Sequence, residues 1–386
     1  MWLFRAIVER KMRAVEVATS LVLIWSTPAN ALDDLRQYAY VRGNSQDVAL
    51  VDMKSDRIDH NVRFKQKPRS IYVIDDKKLL LSIHGPQIEV YDLAANQMLP
   101  PITVDDKIDF FQYNSKAGIA AVANESSGRV SLIDLESRSV VGSVQELQQL
   151  SSIGFDRSGS ELLVTRKSSQ TIGVIDVKNP HRVDAFSLDA DQKLKSDERG
   201  GIRSLDKTPN GRFALALLEG SSVDVPVVNL NTRQIVKNVP IGKGYFDRAY
   251  STADGAFMLL SSDRNRSVSL VSMASQSEVA NFYVGSEISS VNTAWFETTA
   301  FAVDRADGNV IVIDLVNRQV SSVIHLPGQL GRSAVSPDGL KIFVPSSDTR
   351  SIAIIDARFG RLTGMISELP FAPEEVVMAG SIAFCH

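Results

Sequence analysis

An apolar phrase that closes on a carboxylate recurs along almost the whole chain, and it restricts the possible folds more than any other feature. Clear copies are "QDVALVDMKSDRI" at 46–58, "GRVSLIDLESRSV" at 128–140 and "GNVIVIDLVNRQV" at 308–320. Each copy has the length and alternation of a β-strand, and a polar turn follows. The closing residues of the eight copies are Asp52, Asp92, Asp134, Asp176, Asn229, Ser272, Asp314 and Asp356.

The spacing of these closing residues predicts a β-propeller. They are separated by 40, 42, 42, 53, 43, 42 and 42 positions, and one four-stranded propeller blade takes about 40–45 residues. Residues 332–362 contain such a blade, since four strand-like runs follow one another and "SPDG" makes a tight turn after the first. No segment of helical length has the 3.6-residue apolar period of a helix, so the sequence predicts an all-β fold.

The same pattern sets the number of blades and the way in which the ring closes. First strands are expected to begin near Arg69, Asp109, Ser152, Arg203, Arg248, Ser290, Arg332 and Glu375. The propeller begins with a second-strand phrase at 37–43 and ends with a first-strand phrase at 374–380. We therefore predict eight blades, closed by pairing of the C-terminal strand with the N-terminal blade. Seven blades are the alternative, because the copies ending at Asn229 and Ser272 are weak.

The residues before the propeller have the pattern of an export signal. Arg5, Arg10, Lys11 and Arg13 precede the apolar run "VATSLVLIW", and Ala29 and Ala31 frame an A-x-A cleavage site. We predict a signal peptide at 1–31, a single propeller domain at 32–386 and export to a periplasm. The true start is Met1 or Met12, and an uncleaved anchor is the alternative. No later apolar run is long enough to span a membrane, so no stable membrane insertion is expected after cleavage of the signal peptide.

Composition excludes several classes of function. The formal net charge is −3 and the pI is near 6.0, which gives no electrostatic footprint for nucleic acid. Cys385 is the single cysteine, so no intrachain disulfide or cysteine-built metal site is possible. We predict no metal, no bound cofactor and no catalytic residue, because no hydrolase, nucleotide-binding or zinc motif occurs. Whether the protein is an enzyme stays open, with a non-catalytic role favoured.

The blade pattern resembles the YVTN family of propeller repeats. The matching stretches are "KAGIAAVANESSGRVSLID" at 116–134 and "SPDGLKIFVPSSDTRSIAIID" at 336–356. The resemblance implies the fold and little about function, because the shared residues belong to turns and the core. Similar propellers serve as binding proteins, amine dehydrogenase heavy subunits, lactonases and haem domains of periplasmic nitrite reductase and its haem-biosynthesis relatives. The sequence lacks CxxCH and the residue pairs of a protein-derived quinone.

Arginine recurs where first strands begin, at Arg69, Arg203, Arg248 and Arg332. Four guanidinium groups at one point of four blades would face the channel mouth, where they could bind carboxylate or phosphate. The alternative is that each arginine pairs with an acidic residue of a neighbouring loop. The candidate acids are Glu125, Glu219, Asp263, Asp304 and Asp348.

Three further features of the sequence could mark a site. His84 falls in the turn between a second and a third strand, and we predict that it faces the same rim as an axial ligand or acid–base group. The longer loop at 187–201 is either a flap over that rim or a solvated excursion. The repeated strand-closing carboxylates are expected to accept backbone hydrogen bonds in the outer turns rather than to catalyse.

Two functions follow from this pattern. The first is an exported scaffold that binds a protein partner or an anionic small molecule on its arginine-bearing rim. The alternative is a periplasmic cofactor-handling protein or enzyme that holds a tetrapyrrole or another carboxylated ligand at the same place.

Overall fold

The computed structural model describes residues 34–145, 149–188, 200–220, 222–294 and 296–380, and these form an eight-bladed β-propeller. Their strands make eight four-stranded antiparallel sheets. The predicted fold class and the number of blades are confirmed, and the seven-bladed alternative is wrong. Residues 1–31, most of the loop at 187–201, Cys385 and His386 lie outside the described residues.

The strands are numbered in chain order, and blade 1 takes the last strand of the chain as its innermost. Blades 1 to 4 contain β1 (Tyr38–Gly43), β2 (Asp47–Asp52), β3 (Arg57–Arg63); β4 (Ser70–Ile74), β5 (Leu79–His84), β6 (Gln87–Asp92), β7 (Gln97–Thr103); β8 (Phe110–Asn114), β9 (Ile119–Ala123), β10 (Val130–Asp134), β11 (Ser139–Val144); β12 (Leu150–Phe155), β13 (Glu161–Arg166), β14 (Ser169–Asp176) and β15 (Val183–Ser187).

Blades 5 to 8 repeat the arrangement. They contain β16 (Ile202–Lys207), β17 (Phe213–Leu218), β18 (Ser222–Asn229), β19 (Gln234–Gly244); β20 (Arg248–Ser251), β21 (Phe257–Ser262), β22 (Ser267–Ser272), β23 (Ser277–Tyr283); β24 (Ile288–Ala294), β25 (Thr299–Asp304), β26 (Asn309–Asp314), β27 (Gln319–His325); β28 (Ala334–Val335), β29 (Lys341–Ser346), β30 (Ser351–Asp356), β31 (Arg361–Ile366) and the closing strand β32 (Pro373–Met378). Two short 3₁₀ turns, Leu35–Gln37 and Asp75–Lys77, accompany the strands.

The ring closes as the sequence predicts. Strand β32 pairs antiparallel with β1, and Arg42 lies opposite Glu375 in the register. A parallel bridge between Arg332 and Glu375 also joins the first strands of blades 8 and 1. The C-terminal strand thereby completes the sheet of the N-terminal blade, and β1 has a hydrogen-bonding partner on each side.

The hydrophobic core lies between the blades. Each of eight clusters of buried apolar residues draws on two adjacent sheets; one combines Phe301 and Val312 of blade 7 with Ile342 and Val344 of blade 8. The two central strands of a blade are buried on both faces, whereas outer strands such as β27 alternate between exposed and half-buried residues. Blade packing of this kind explains the continuous apolar runs of the third strands.

The strand-closing carboxylates cap the outer turns, as predicted. Oδ1 of Asp134 accepts the N–H groups of Glu136 and Ser137 at 2.8 and 3.1 Å. Asp52, Asp92, Asp176, Asn229 and Asp314 repeat this pair of bonds. These turns lie at the end of the antiparallel blades opposite the beginnings of the first strands, so they are remote from the arginines.

Candidate functional site: the cavity at the channel mouth

A cavity of 1330 Å³ lies where the first strands begin, and its walls come from all eight blades. We call it the mouth cavity. Its walls include the four predicted arginines, Arg69, Arg203, Arg248 and Arg332. Further cations are Arg42, Lys167 and Arg305, and the acids are Asp109, Glu125, Asp206, Glu219, Asp247 and Glu374. Because cations and acids are nearly equal in number, an arginine can bind a ligand only if a neighbouring acid does not already pair with it.

Arg69 is held by the next blade. Its Nη1 donates to the carbonyl of Ile108 at 2.9 Å and to Oδ1 of Asp109 at 2.8 Å. Oδ2 of Asp109 accepts the N–H of Glu125 at 3.1 Å, in the loop after the second strand of its own blade. Burial alone would raise the pKa of Asp109, but the hydrogen bonds from Lys107, Arg69 and Glu125 outweigh it and lower that pKa.

Arg203 is held in the same way three blades further on. Its Nη1 donates to Oδ1 of Asp247 in the next blade at 3.0 Å, and its Nη2 donates to Glu219 at 3.0 Å. Oδ2 of Asp247 accepts the N–H of Asp263 at 2.9 Å. Arg203 and Arg69 therefore join neighbouring blades, and Glu219 is one of the acids that the sequence nominated as an arginine partner.

The four arginines do not share one point of the blade. The N–H groups of Arg69 and Asp247 donate to second-strand carbonyls, those of Ile83 and Ser261, at 2.8 Å each. Gly331 makes the same bond to Pro345. Arg248 and Arg332 therefore lie one position further along their first strands than Arg69 does. The expectation of a common position is wrong for these two arginines. In blade 6 an aspartate takes the place that arginine has in blades 2 and 5.

Arg332 belongs to a second charge network at the ring seam. Its Nη1 lies 3.6 Å from Oε1 of Glu375, whose Oε2 already accepts from Arg42 at 2.5 Å. Arg42 also donates to Glu374 at 2.8 Å, and Lys67 reaches the other oxygen of Glu374 at 3.0 Å. The tight pair at the seam is Arg42–Glu375, and the Arg332 side chain stays 43% exposed.

Arg248 differs from the other three arginines. Its side chain is exposed to the mouth cavity and forms no ion pair or hydrogen bond with another described side chain. The positive charge of Arg248 partly opposes the rise in the pKa of Asp206, which lies on the preceding blade and also lines the mouth cavity. Arg248 is therefore the most available cation of the four.

His84 does not line the mouth cavity. Its ring is buried, and Nε2 lies 3.2 Å from Oε1 of Glu89, which is also buried. The other oxygen of Glu89 accepts the N–H of Lys65 at 2.8 Å. The contact between His84 and Glu89 links the second and third strands of blade 2. The role of His84 as a ligand stays a prediction, and this geometry does not support it.

The inner wall of the mouth cavity carries apolar surface. Tyr72 and Phe111 place their ring centroids 4.2 Å apart, and Phe110, Ile153 and Leu205 also line the wall. Aromatic faces beside exposed guanidinium groups suit a ligand with both a flat apolar body and acidic groups.

Sequence reasoning missed two groups of the mouth cavity. Arg42 lies at the end of a second strand rather than at the start of a first strand, so the repeat gave no reason to select it. Asp206 follows Arg203 by three positions and resembles an ordinary exposed strand residue. Asp206 and Ser204 are two positions apart on an innermost strand and therefore lie on the same face of it. This spacing is the local signal that Asp206 faces the channel.

Within the described ranges there is no group of three or more histidine, cysteine or acidic residues that could hold a metal ion. The described helical turns include none long and apolar enough to cross a membrane.

Comparison with known proteins identifies the fold without a family. No protein-family model matches the chain, and no curated protein matches it in sequence. The resemblance to the YVTN repeats is therefore supported at the level of the propeller only.

Several solved structures are similar. The dihydro-heme d1 dehydrogenase NirN in complex with DHE superposes with a TM-score of 0.77 at 12% identity, over 94% of this chain and 79% of NirN. Kuenenia stuttgartiensis hydrazine synthase gives 0.54 at 15% identity, over 75% of this chain and 95% of that one. The C-terminal WD40 domain of Sif2 gives 0.60 at 10% identity, over 78% and 86%. At such identities the likeness shows the propeller fold alone.

Proposed function

We propose that the protein is an exported, non-catalytic propeller that binds an anionic small molecule, one bearing carboxylates, in the mouth cavity. The observation that carries this proposal is the exposed guanidinium of Arg248, unpaired among the described side chains, in a cavity that Arg332 also lines. An arginine that lacks an internal partner is free to form bidentate hydrogen bonds with a carboxylate.

The shape of the site favours a small molecule over a protein surface. A cavity of 1330 Å³ exceeds the roughly 300–1,000 Å³ of common ligand pockets, whereas protein interfaces are broad and flatter. The aromatic wall at Tyr72, Phe110 and Phe111 adds apolar surface for a large, flat ligand.

A tetrapyrrole is the first ligand to test. NirN, one of the similar structures, was solved in complex with DHE. No histidine, cysteine or methionine is among the described residues that line this mouth cavity, so we expect binding to depend mainly on the carboxylates of the ligand.

The experiment is a fluorescence titration with metal-free coproporphyrin, which carries four carboxylates, at low and high salt. We expect saturable binding that weakens with salt. Each of Arg248→Gln and Arg332→Gln should weaken it by about tenfold, because a charge-assisted hydrogen bond contributes roughly 1.5–3 kcal/mol.

Arg57→Gln is the matched control, since Arg57 is exposed at the start of an outer strand and does not line the mouth cavity. Equal affinity of the double variant Arg248→Gln/Arg332→Gln and the unaltered protein would refute this site. Absence of porphyrin binding, together with equal native and denatured masses of protein from its own host, would favour the protein-partner hypothesis.

A further inference from the structure

Asp206 places a carboxylate on the wall of the mouth cavity, inside the ring of arginines. It lies on β16, three residues after Arg203, and lines the cavity with Ser204, Leu205 and Arg248. Part of its surface faces the cavity, although protein surrounds most of the side chain. The position makes Asp206 accessible to a ligand that enters past the arginines.

Only one oxygen of Asp206 is used by the described residues. Oδ2 accepts Ser204 Oγ–H at 2.7 Å and the N–H of Ala249 at 3.2 Å. Oδ1 has no hydrogen-bonding partner in the described part of the chain, and no cation there pairs with the carboxylate. Because Asp206 is only partly buried and lines the mouth cavity, this oxygen can accept a hydrogen bond from a group that enters the cavity.

The neighbouring cations do not fill this gap. Lys207 points away, with Nζ donating to the carbonyl of Phe155 in blade 4. Burial raises the pKa of Asp206 to about 6, and its hydrogen bonds and the charges of Arg248 and Lys207 only partly oppose that rise. The titratable and charged groups on the strands around it are Arg203 and Lys207 on β16, Glu219 after β17, Asp247, Arg248 and Tyr250 on or before β20, and Asp156 after β12.

We propose that Oδ1 of Asp206 receives an N–H donor of the ligand, best a protonated amine, while carboxylates of the same ligand bind Arg248 and Arg332. The ligand is then amphoteric, with acidic groups at the arginine ring and a nitrogen donor at the inner end. This inference deepens the proposed function and rests on it.

The test uses two probes that differ only in an amine: the dipeptide Glu-Glu and its desamino analogue glutaryl-Glu. Calorimetric titration at pH 7 should show about tenfold tighter binding of Glu-Glu, the size of one charge-assisted hydrogen bond. Asp206→Asn should abolish this preference and keep the affinity for glutaryl-Glu or raise it. Asp59→Asn, an exposed carboxylate of an outer strand, should preserve the preference.

A second readout separates ligand contact from a structural role. The carboxyl ¹³C resonance of Asp206, identified by its loss in Asp206→Asn, reports the pKa of that group directly. Glu-Glu should lower this pKa, because a nearby ammonium favours the ionised carboxylate, whereas glutaryl-Glu should raise it. Work between pH 5 and 7 keeps Lys207 charged, since burial lowers the pKa of Lys207 only to about 8.

The outcomes also distinguish this inference from the function on which it rests. Equal binding of the two probes, a preference that survives in Asp206→Asn, or a pKa of Asp206 that does not move would overturn the inference. If neither probe binds while coproporphyrin binds through Arg248 and Arg332, the inference fails and the proposed function stands. If none of the three binds, both fail.

Discussion

Arg203 and Arg248 lie on neighbouring blades of one cavity, yet their surroundings differ. Arg203 spans Glu219 and Asp247 and is about one third exposed, at 32%. Arg248 is exposed and makes no ion pair with a described residue. The comparison teaches that an arginine repeated at the start of several blades is not one functional feature. Some copies hold blades together and others are available to a ligand.

The strongest expected effect concerns Arg42 at the seam, whose side chain is only 13% exposed. Arg42→Leu should lower the free energy of unfolding by about 3 kcal/mol, because it leaves the buried Glu375 carboxylate with only the distant Arg332. Denaturant unfolding measures the change. Lys67→Leu, which removes the more exposed cation from Glu374, is the control and should cost less than about 0.5 kcal/mol. Equal costs would contradict the assignment of Arg42 as the main clamp.

The next effect depends on pH and contrasts Asp206 with Asp109. The pKa of Asp206 is raised from 3.8 to about 6, so the folded protein loses stability as pH rises through that range, by up to about 3 kcal/mol. Asp206→Asn should therefore stabilise the protein at pH 7 and have little effect at pH 4.

Asp109→Asn is the counterpart with the opposite sign. The pKa of Asp109 is lowered, so its ionised form stabilises the fold above its usual pKa, and this stabilisation is lost as pH falls. The substitution should destabilise at pH 7 and less so at pH 3. Thermal unfolding of both variants across pH is the measurement, and parallel curves would remove the distinction between the two carboxylates.

A smaller effect compares the two arginines directly. Arg203→Gln should cost about 1 kcal/mol of stability, since it breaks two partly buried charge-assisted hydrogen bonds, whereas Arg248→Gln should change stability by less than about 0.5 kcal/mol. A double-mutant cycle of Arg203→Gln with Asp247→Asn should recover about half of that cost as coupling, because the other hydrogen bond is to Glu219. A larger loss for Arg248→Gln would mean that this arginine also serves the fold.

Among the arginines that have an acidic partner, the smallest effect is expected at Arg69. Its side chain is 50% exposed, so Arg69→Gln should cost about 0.5 kcal/mol at low salt and less at 0.5 M salt, which screens a charge that is half exposed. The matched measurement on Arg203→Gln should depend less on salt. The same salt dependence for both would show that depth in the cavity does not separate them.

The architecture could be predicted because its causes are local. The period of the phrases at 128–140 and 308–320 set the blade length, and the offset between 37–43 and 374–380 indicated how the ring closes. The cap at Asp134 uses N–H groups two and three residues away. Interactions of such short range can be inferred from a short stretch of sequence, because both partners lie within it.

The sequence by itself thus determined the all-β class, the number of blades, the closing strand and four of the six described arginines that line the channel mouth. The tertiary structure alone decided which arginines have an acidic partner, and that one oxygen of Asp206 has no partner among the described residues. Arg69 meets Asp109 across 40 positions, and Arg203 meets Asp247 across 44. Those partners come from the next blade, and the one-residue register difference that sets Arg248 apart arises only when strands pair.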